Sequence, residues 1–121
     1  MTSAHDDERL AYAMEPKIKA WVVFPGGTKF GAGRARLLRL IEEEGSLNRA
    51  VKRMGMSYRA AWGYLQELEH AAGFTFLDAS QGGSRLTPEA RGFLAAFERY
   101  QQRVKGATAT AFDSEDWPRP G

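Results

Sequence analysis

The sequence predicts a mainly α fold with a small β wing, and three observations carry that expectation. Amphipathic stretches with helix caps recur four times, between a β-rich run near the N-terminus and a hairpin near residue 80. Two of these stretches are short and separated only by Gly55-Met56, so their helices must cross at a steep angle. A composition of 43% hydrophobic and 12% aromatic residues in 121 supplies one packed core. The order strand, helix, helix, tight turn, helix, hairpin, helix is that of a winged helix-turn-helix.

Each element has a local cause. Ile18 to Phe24 (IKAWVVF) is rich in β-branched and aromatic residues and reads as a strand with Ile18, Ala20, Val22 and Phe24 on one face, stopped by Pro25-Gly26-Gly27. The first helix follows Gly31–Gly33 and runs to Glu44, burying Leu37, Leu38 and Ile41, with Gly45 as its left-handed cap. Ser46 caps the second, LNRAVKRM, in which Leu47, Ala50, Val51 and Met54 share one side. Ser57 caps the third, YRAAWGYLQELEHAA, with Ala61, Leu65, Leu68 and Ala72 inward and Gly73 at its end. FTFLD, a turn at ASQGG and SRLT form a hairpin; Thr87-Pro88-Glu89 then opens the fourth helix.

Charge divides the chain more sharply than its formal +2 suggests. Residues 1–15 (net −3) are expected to be a flexible acidic arm, and residues 106–121 (net −2) a flexible tail. Residues 16–105 hold fifteen basic and eight acidic side chains, net +7, and form the expected DNA-binding domain, closed by a dimerisation helix at about 88–105. No acid occurs from Lys17 to Arg39, where there are six basic residues, nor from Ser46 to Tyr64, where there are four. Such a surface fits double-stranded DNA, because a protruding helix is about as wide as the major groove accepts.

The third helix enters the groove first through Ser57, Tyr58 and Arg59. Ser57 either caps its own helix or meets the duplex; Arg59 either pairs with guanine O6/N7 or positions on phosphate. Gln66 is a base-edge candidate one turn on, and Trp62 is placed in the set, although packing beneath the wing or against the first strand is the favoured reading of that side chain. Ser46, Asn48, Arg49 and Arg53 flank it from the second helix. Arg85 of the wing reaches the minor groove or phosphate, or stays in solvent. Phe93, Leu94, Phe97, Tyr100 and Val104 stripe the fourth helix, packing on their own core or, as favoured here, against a second copy in a homodimer.

Other chemistry is expected to be absent. Without cysteine there is no disulfide, thiolate zinc site or cysteine nucleophile. GGTKFGAG lacks the Gly-Lys-Ser/Thr end of a phosphate loop and the third glycine of a dinucleotide fingerprint, and reads as turn and helix entry. His5 and His70 have no partners at metal-ligand spacing, and Glu42-Glu43-Glu44 fans around its helix. The sequence therefore predicts no enzyme, no cofactor and no metal. No apolar run approaches the ~20 residues that span a bilayer, and the N-terminus lacks a basic, then apolar, leader, so a cytoplasmic location without membrane contact is expected.

FGAGRARLLRLIEEEGSLNRAVKRMGMSYRAAWGYLQELE resembles the DNA-binding domain of ModE-type molybdate-responsive transcriptional regulators, itself similar to the LysR-type winged helix. The shared residues are Phe30-Gly31, Gly33-Arg34, Gly45-Ser46, Ala50, Gly55, Met56-Ser57-Tyr58, Ala61-Trp62 and Leu86-Thr87, densest at GMSYRAAW. The resemblance covers roughly residues 17–105. It implies a dimer on the flanking helices, the third helix in the major groove and the wing on the backbone. The wing here is only SQGGS, shorter than the family's glycine-rich, lysine-bearing loop, so Arg85 stands on its own chemistry. The chain ends about 35 residues after Thr87, too few for the family's oxyanion-binding domain. Ligand control is then expected from a separate effector-binding protein or a site in the winged helix itself. Two other readings remain open: a protein-interaction module on this scaffold, and a small oxyanion-binding protein using the basic face.

Overall fold

The computed structural model describes residues 14–80 and 84–119. The N-terminal arm up to residue 13, His5 included, and Gln81-Gly82-Gly83 of the hairpin turn lie outside the described residues. Lys19–Gln101 forms one compact unit, and the described residues on either side of it fall into a second.

Among the described residues there are four helices and two short antiparallel hairpins. Strands β1 (Val22–Val23) and β2 (Lys29–Phe30) pair with Val22 opposite Phe30. Helices α1 (Ala32–Glu44), α2 (Leu47–Met54) and α3 (Tyr58–Ala72) follow. Strands β3 (Leu77–Asp78) and β4 (Arg85–Leu86) form the wing, Leu77 opposite Leu86, and α4 (Pro88–Asp113) completes the order.

The helix boundaries lie where the caps put them. Ser46 Oγ accepts from the Arg49 N–H at 3.2 Å, and Ser57 Oγ from the Ala60 N–H at 3.0 Å. Between α2 and α3 the chain turns on Gly55, whose φ of 68° is left-handed and favours glycine. Gly55 N–H donates to the Lys52 carbonyl and Met56 N–H to the Val51 carbonyl, which closes α2 and sets the start of α3 two residues later.

One hydrophobic cluster underlies all of this. Ala50 is fully buried, as a small residue at the helix crossing must be, and Met56 packs against the cluster's edge. Leu37, Leu38, Ile41, Leu47, Leu65, Leu68, Phe76, Leu86 and Leu94 are each at most 1% exposed. Burial of each such side chain stabilises the fold by about 1.5–3 kcal/mol before entropy is counted.

Four expectations need correction. The N-terminal strand is two residues long rather than seven: Ile18 is 47% exposed, and only Val22–Val23 finds a partner. That partner, β2, was hidden in a segment read as turn and helix entry; Gly26 and Gly27, at φ 97° and 100°, turn the chain back so that the Phe24 N–H reaches the Thr28 carbonyl. The fourth helix does not end at Lys105 but continues to Asp113. Alanine is the strongest helix former, the Thr108 hydroxyl donates back to the Val104 carbonyl, and no proline intervenes before Pro118.

The third correction concerns the aromatic stripe of α4. Leu94 (1% exposed) and Phe97 (4%) belong to the chain's own core, and Phe93 packs against it, so these three do not form a partner surface. The physical reason is the β1–β2 hairpin, which brings in rings that must be covered. Phe30 meets Phe93 at 4.9 Å and Phe97 at 5.0 Å edge-on, and Phe24 stacks on Phe93 at 5.7 Å. Tyr100 alone in this unit keeps a large exposed surface on the stripe; Val104 is half-buried. Fourth, Trp62 is not packed beneath the wing or against the first strand: it is 45% exposed. Phe74 and Phe76 already fill the space behind β3, stacked at 4.8 Å, and Trp62 sits one residue past the inward Ala61.

Candidate nucleic-acid interface

The exposed sides of α2 and α3 form the candidate site. On α3, Ala61, Tyr64, Leu65 and Leu68 face inward, so Tyr58, Arg59, Trp62, Gly63 and Gln66 are left outside. On α2, burial of Leu47, Ala50 and Val51 turns Asn48, Arg49, Lys52 and Arg53 outward. Of the predicted residues the structure brings Asn48, Arg49, Arg53, Ser57, Tyr58, Arg59, Trp62 and Gln66 onto exposed positions of these two helices. Ser46 is half-buried at the start of α2.

Charge on this surface is not self-neutralised. Helices α1, α2 and α3 carry no acid in their first turns, whereas α4 follows the usual stabilising pattern with Glu89. The N-terminus of α3 thus keeps its positive end available to an anion. Among the described residues no ion pair engages Arg49, Lys52 or Arg59. Arg53 is different: its guanidinium binds the Glu44 carboxylate at 2.9 Å, which removes part of its charge from the face. The two acids late in α3 are occupied elsewhere. Glu67 accepts from the Thr28 hydroxyl at 3.2 Å, and Glu69 accepts from the Phe76 N–H at 2.7 Å, tying α3 to the wing.

Ser57 and Ser46 keep a second capacity beside capping. Each hydroxyl oxygen accepts a backbone N–H, and its own hydrogen stays free to donate. Arg85 is exposed on β4, directly across the ladder from Asp78. The Ser80 hydrogen bonds hold the Asp78 carboxyl below its ordinary pKa, so an anion stands beside Arg85. That weakens the wing's pull on phosphate relative to α3.

Behind the interface a groove of about 570 Å³ opens between Trp21, Arg34, Met54, Met56 and Tyr64. Its one cation is already engaged: the Arg34 guanidinium lies 3.8 Å from the Tyr64 ring centre and donates to the Lys29 carbonyl at 2.6 Å. Burial pushes the Tyr64 hydroxyl up to about 12 despite this neighbour. Gly31 lies close at the same place: a Cβ there would meet the Trp21 Cβ at 3.3 Å, a tight contact that Trp21 would have to relieve. No group of three or more His, Asp or Glu side chains that could hold a metal occurs among the described residues, and no helix among them is long and apolar enough to cross a membrane.

Two features of the face escaped the sequence reading. Lys52 was counted as charge but not as a site residue, although it is exposed on the same helix as Arg49. Gly63 was passed over, yet its spacing, four residues after Arg59 and three before Gln66, is the signal that places all three on one side.

Comparison with known proteins agrees with this geometry. Residues 33–91 match the bacterial regulatory helix-turn-helix protein family of LysR type. The molybdenum transport protein ModE of Azotobacter vinelandii is 33% identical over 86 residues, 67% of this chain and 32% of that protein. The molybdenum-pterin-binding protein MopB of Rhodobacter capsulatus is 33% identical over 76 residues, 59% of this chain and 28% of that one. The chain therefore spans about a third of the length of these relatives. Among solved structures, CbnR, a LysR family transcriptional regulator, superposes with a TM-score of 0.52 at 25% identity, over 60% of this chain and 25% of that one. A second structure, the CbnR DNA-binding domain in complex with DNA, covers 66% of this chain and 92% of that one at a TM-score of 0.55 and 22% identity, which speaks to fold. Helix order, wing and family match coincide over one segment, and residues 33–91 of this chain are a winged helix-turn-helix of the LysR-type bacterial regulatory family.

Proposed function

We propose that the chain is a sequence-specific, double-stranded DNA-binding transcriptional regulator that inserts α3 in the major groove. The observation that carries this reading is the outward side of α2 and α3, where Arg49, Lys52 and Arg59 stand without a paired carboxylate around a helix N-terminus that lacks an acid. Tyr58, Arg59, Trp62 and Gln66 read bases; Ser46, Asn48, Arg49, Lys52 and Ser57 hold the phosphates; Arg53 and Arg85, each beside a carboxylate, contribute less. The likeness to ModE and to LysR-type regulators supports the same assignment. Its mechanism is promoter occupancy, which excludes or recruits polymerase, and it uses no catalytic group.

The working form is a homodimer. With Phe93, Leu94 and Phe97 turned into the core, the contact lies along the outer part of α4, from Tyr100 onward. A two-fold pair then reads half-sites one helical turn or a multiple apart. Effector control falls to a separate polypeptide or to a site in the winged helix itself.

Selection of duplexes from a random pool, followed by anisotropy titration across salt concentrations, tests the reading. Affinity should fall steeply with salt, each phosphate contact adding a slope of about −0.9 in log–log form. Arg59→Ala should cost about 1–3 kcal/mol and relax preference at one base pair. No retardation of any duplex at low salt, or an Arg59→Ala protein with unchanged affinity and preference, overturns it.

A further inference from the structure

The two aromatic residues at the leading end of α3 have no role in the fold. Tyr58 is 49% exposed and Trp62 45%, one helical turn apart, with rings 6.5 Å between centres and only 7° from parallel. Large apolar surface left in water on a small domain marks a recognition surface when it is clustered. Here the cluster adjoins Arg59 and Gln66 and lies on the same flank of the helix as Glu69, which binds the wing strand. No hydrogen bond holds the indole N–H among the described residues.

Resting on the DNA-binding reading above, we propose that the Tyr58–Trp62 pair recognises the 5-methyl group of thymine in the major groove. The argument is one of elimination by chemistry. A ring face is electron-rich and does not attract a phosphate oxygen. In the major groove every base pair presents hydrogen-bond donors and acceptors, and the thymine methyl is the one apolar group projecting there. The outer ring face of the stacked pair matches that group and gains by covering it, whereas the same face set against an exocyclic amine or carbonyl would leave a polar atom unpaired. Arg59 and Gln66 then read polar edges while the aromatic pair reads thymine.

Deletion of single methyl groups provides the test. The duplex enriched from a random pool by the intact chain is resynthesised with deoxyuridine replacing thymine, one position at a time, and titrated against the wild-type, Trp62→Ala and Trp62→Phe proteins. For the wild type, one or two such replacements should weaken binding by about fivefold each. Trp62→Ala should bind the thymine duplex correspondingly less tightly and become indifferent to those replacements, while Trp62→Phe should regain part of the sensitivity. Thermal melting of each variant checks that the fold is intact. The proposal is overturned if deoxyuridine costs the wild type nothing. It also falls if Trp62→Ala leaves that sensitivity intact, weakening the thymine and deoxyuridine duplexes by the same factor. If no duplex is enriched at all, the DNA-binding reading fails, and this one with it.

Discussion

Helices α3 and α4 carry the same aromatic signature and use it in opposite ways. Tyr58 and Trp62 on α3, and Phe93 and Phe97 on α4, are each four residues apart on a helix. The first pair stands in solvent; the second meets Phe24, Phe30, Phe74 and Phe76 in the core or at its edge. Helical spacing states that two side chains share a face; which face is buried depends on what the rest of the chain brings to it. For α4 that is two hairpins carrying four phenylalanines. For α3 the inner side is already taken by Ala61, Tyr64, Leu65 and Leu68, and the aromatic pair is left outside.

The largest effect separates these pairs by stability. Phe97→Ala should destabilise the protein by about 3–5 kcal/mol, through lost burial and an unfilled cavity beside Phe30. Trp62→Ala, at an exposed helix position, should change stability by no more than about 0.5 kcal/mol while weakening DNA binding. Urea denaturation of both variants, each beside an anisotropy titration, makes the comparison. Equal destabilisation by the two substitutions would erase the distinction drawn between the helices.

The same contrast explains what the sequence could and could not reveal. Helices α2 and α3 were legible to the residue because their signals are local: a serine that bonds the N–H three residues on, and a glycine able to take positive φ at the end. Helix α1, entered through Gly31 without a side-chain cap, begins at Ala32, two residues before the sequence places it. The exposed side of α3 was legible too, because it is what remains after Ala61, Leu65 and Leu68 are assigned inward. The β1–β2 ladder was not, since two-residue strands have no alternation to read and Lys29–Phe30 is defined only by its partner. Missing that ladder hid Phe30 as a core ring, and with it the reason Phe93 and Phe97 turn inward. Trp62 was misread by the reverse error: its place one residue off the inner stripe was taken as a sign of packing, yet the side chain is 45% exposed.

Tyr64 sharpens the comparison inside α3 itself, because it is the helix's inward aromatic. Its burial raises the hydroxyl to about 12, so the folded state resists its ionisation more than the unfolded chain does. A group raised in the folded state stabilises fully below its unfolded value, near 10, and loses that contribution as pH climbs through the folded one. Stability should therefore decline between about pH 10 and 12, by something on the order of 2 kcal/mol for this residue. Tyr64→Phe should remove that decline, together with the 3.4 Å hydrogen bond to the Lys29 carbonyl and the hydroxyl's interaction with Arg34. Urea midpoints at pH 9, 10.5 and 11.5 for both proteins read the difference. A wild type whose midpoint is as flat as the variant's would place Tyr64 in water.

The smallest effect comes from Gly63 and has two opposite signs. An exposed glycine inside a helix costs about 1 kcal/mol relative to alanine. Nothing in the fold requires it, since a Cβ at this position would meet no atom within 4 Å. Its backbone is right-handed helix, which any residue adopts. What distinguishes it is its place between Arg59 and Gln66, at the middle of the side that α3 presents to solvent. On the DNA-binding reading proposed above, a bare backbone there would let the helix axis lie closer to the floor of a groove, bringing Arg59 and Gln66 toward base edges. Gly63→Ala should then raise the urea midpoint, by about 0.5–1 kcal/mol of stability, and lower affinity for the selected duplex at the same time. Larger side chains should deepen the loss of binding without lowering stability below that of the glycine protein. Stabilisation with undiminished affinity would mean that α3 rides higher in the groove than this face implies, and that the aromatic pair beside it reaches the bases less deeply.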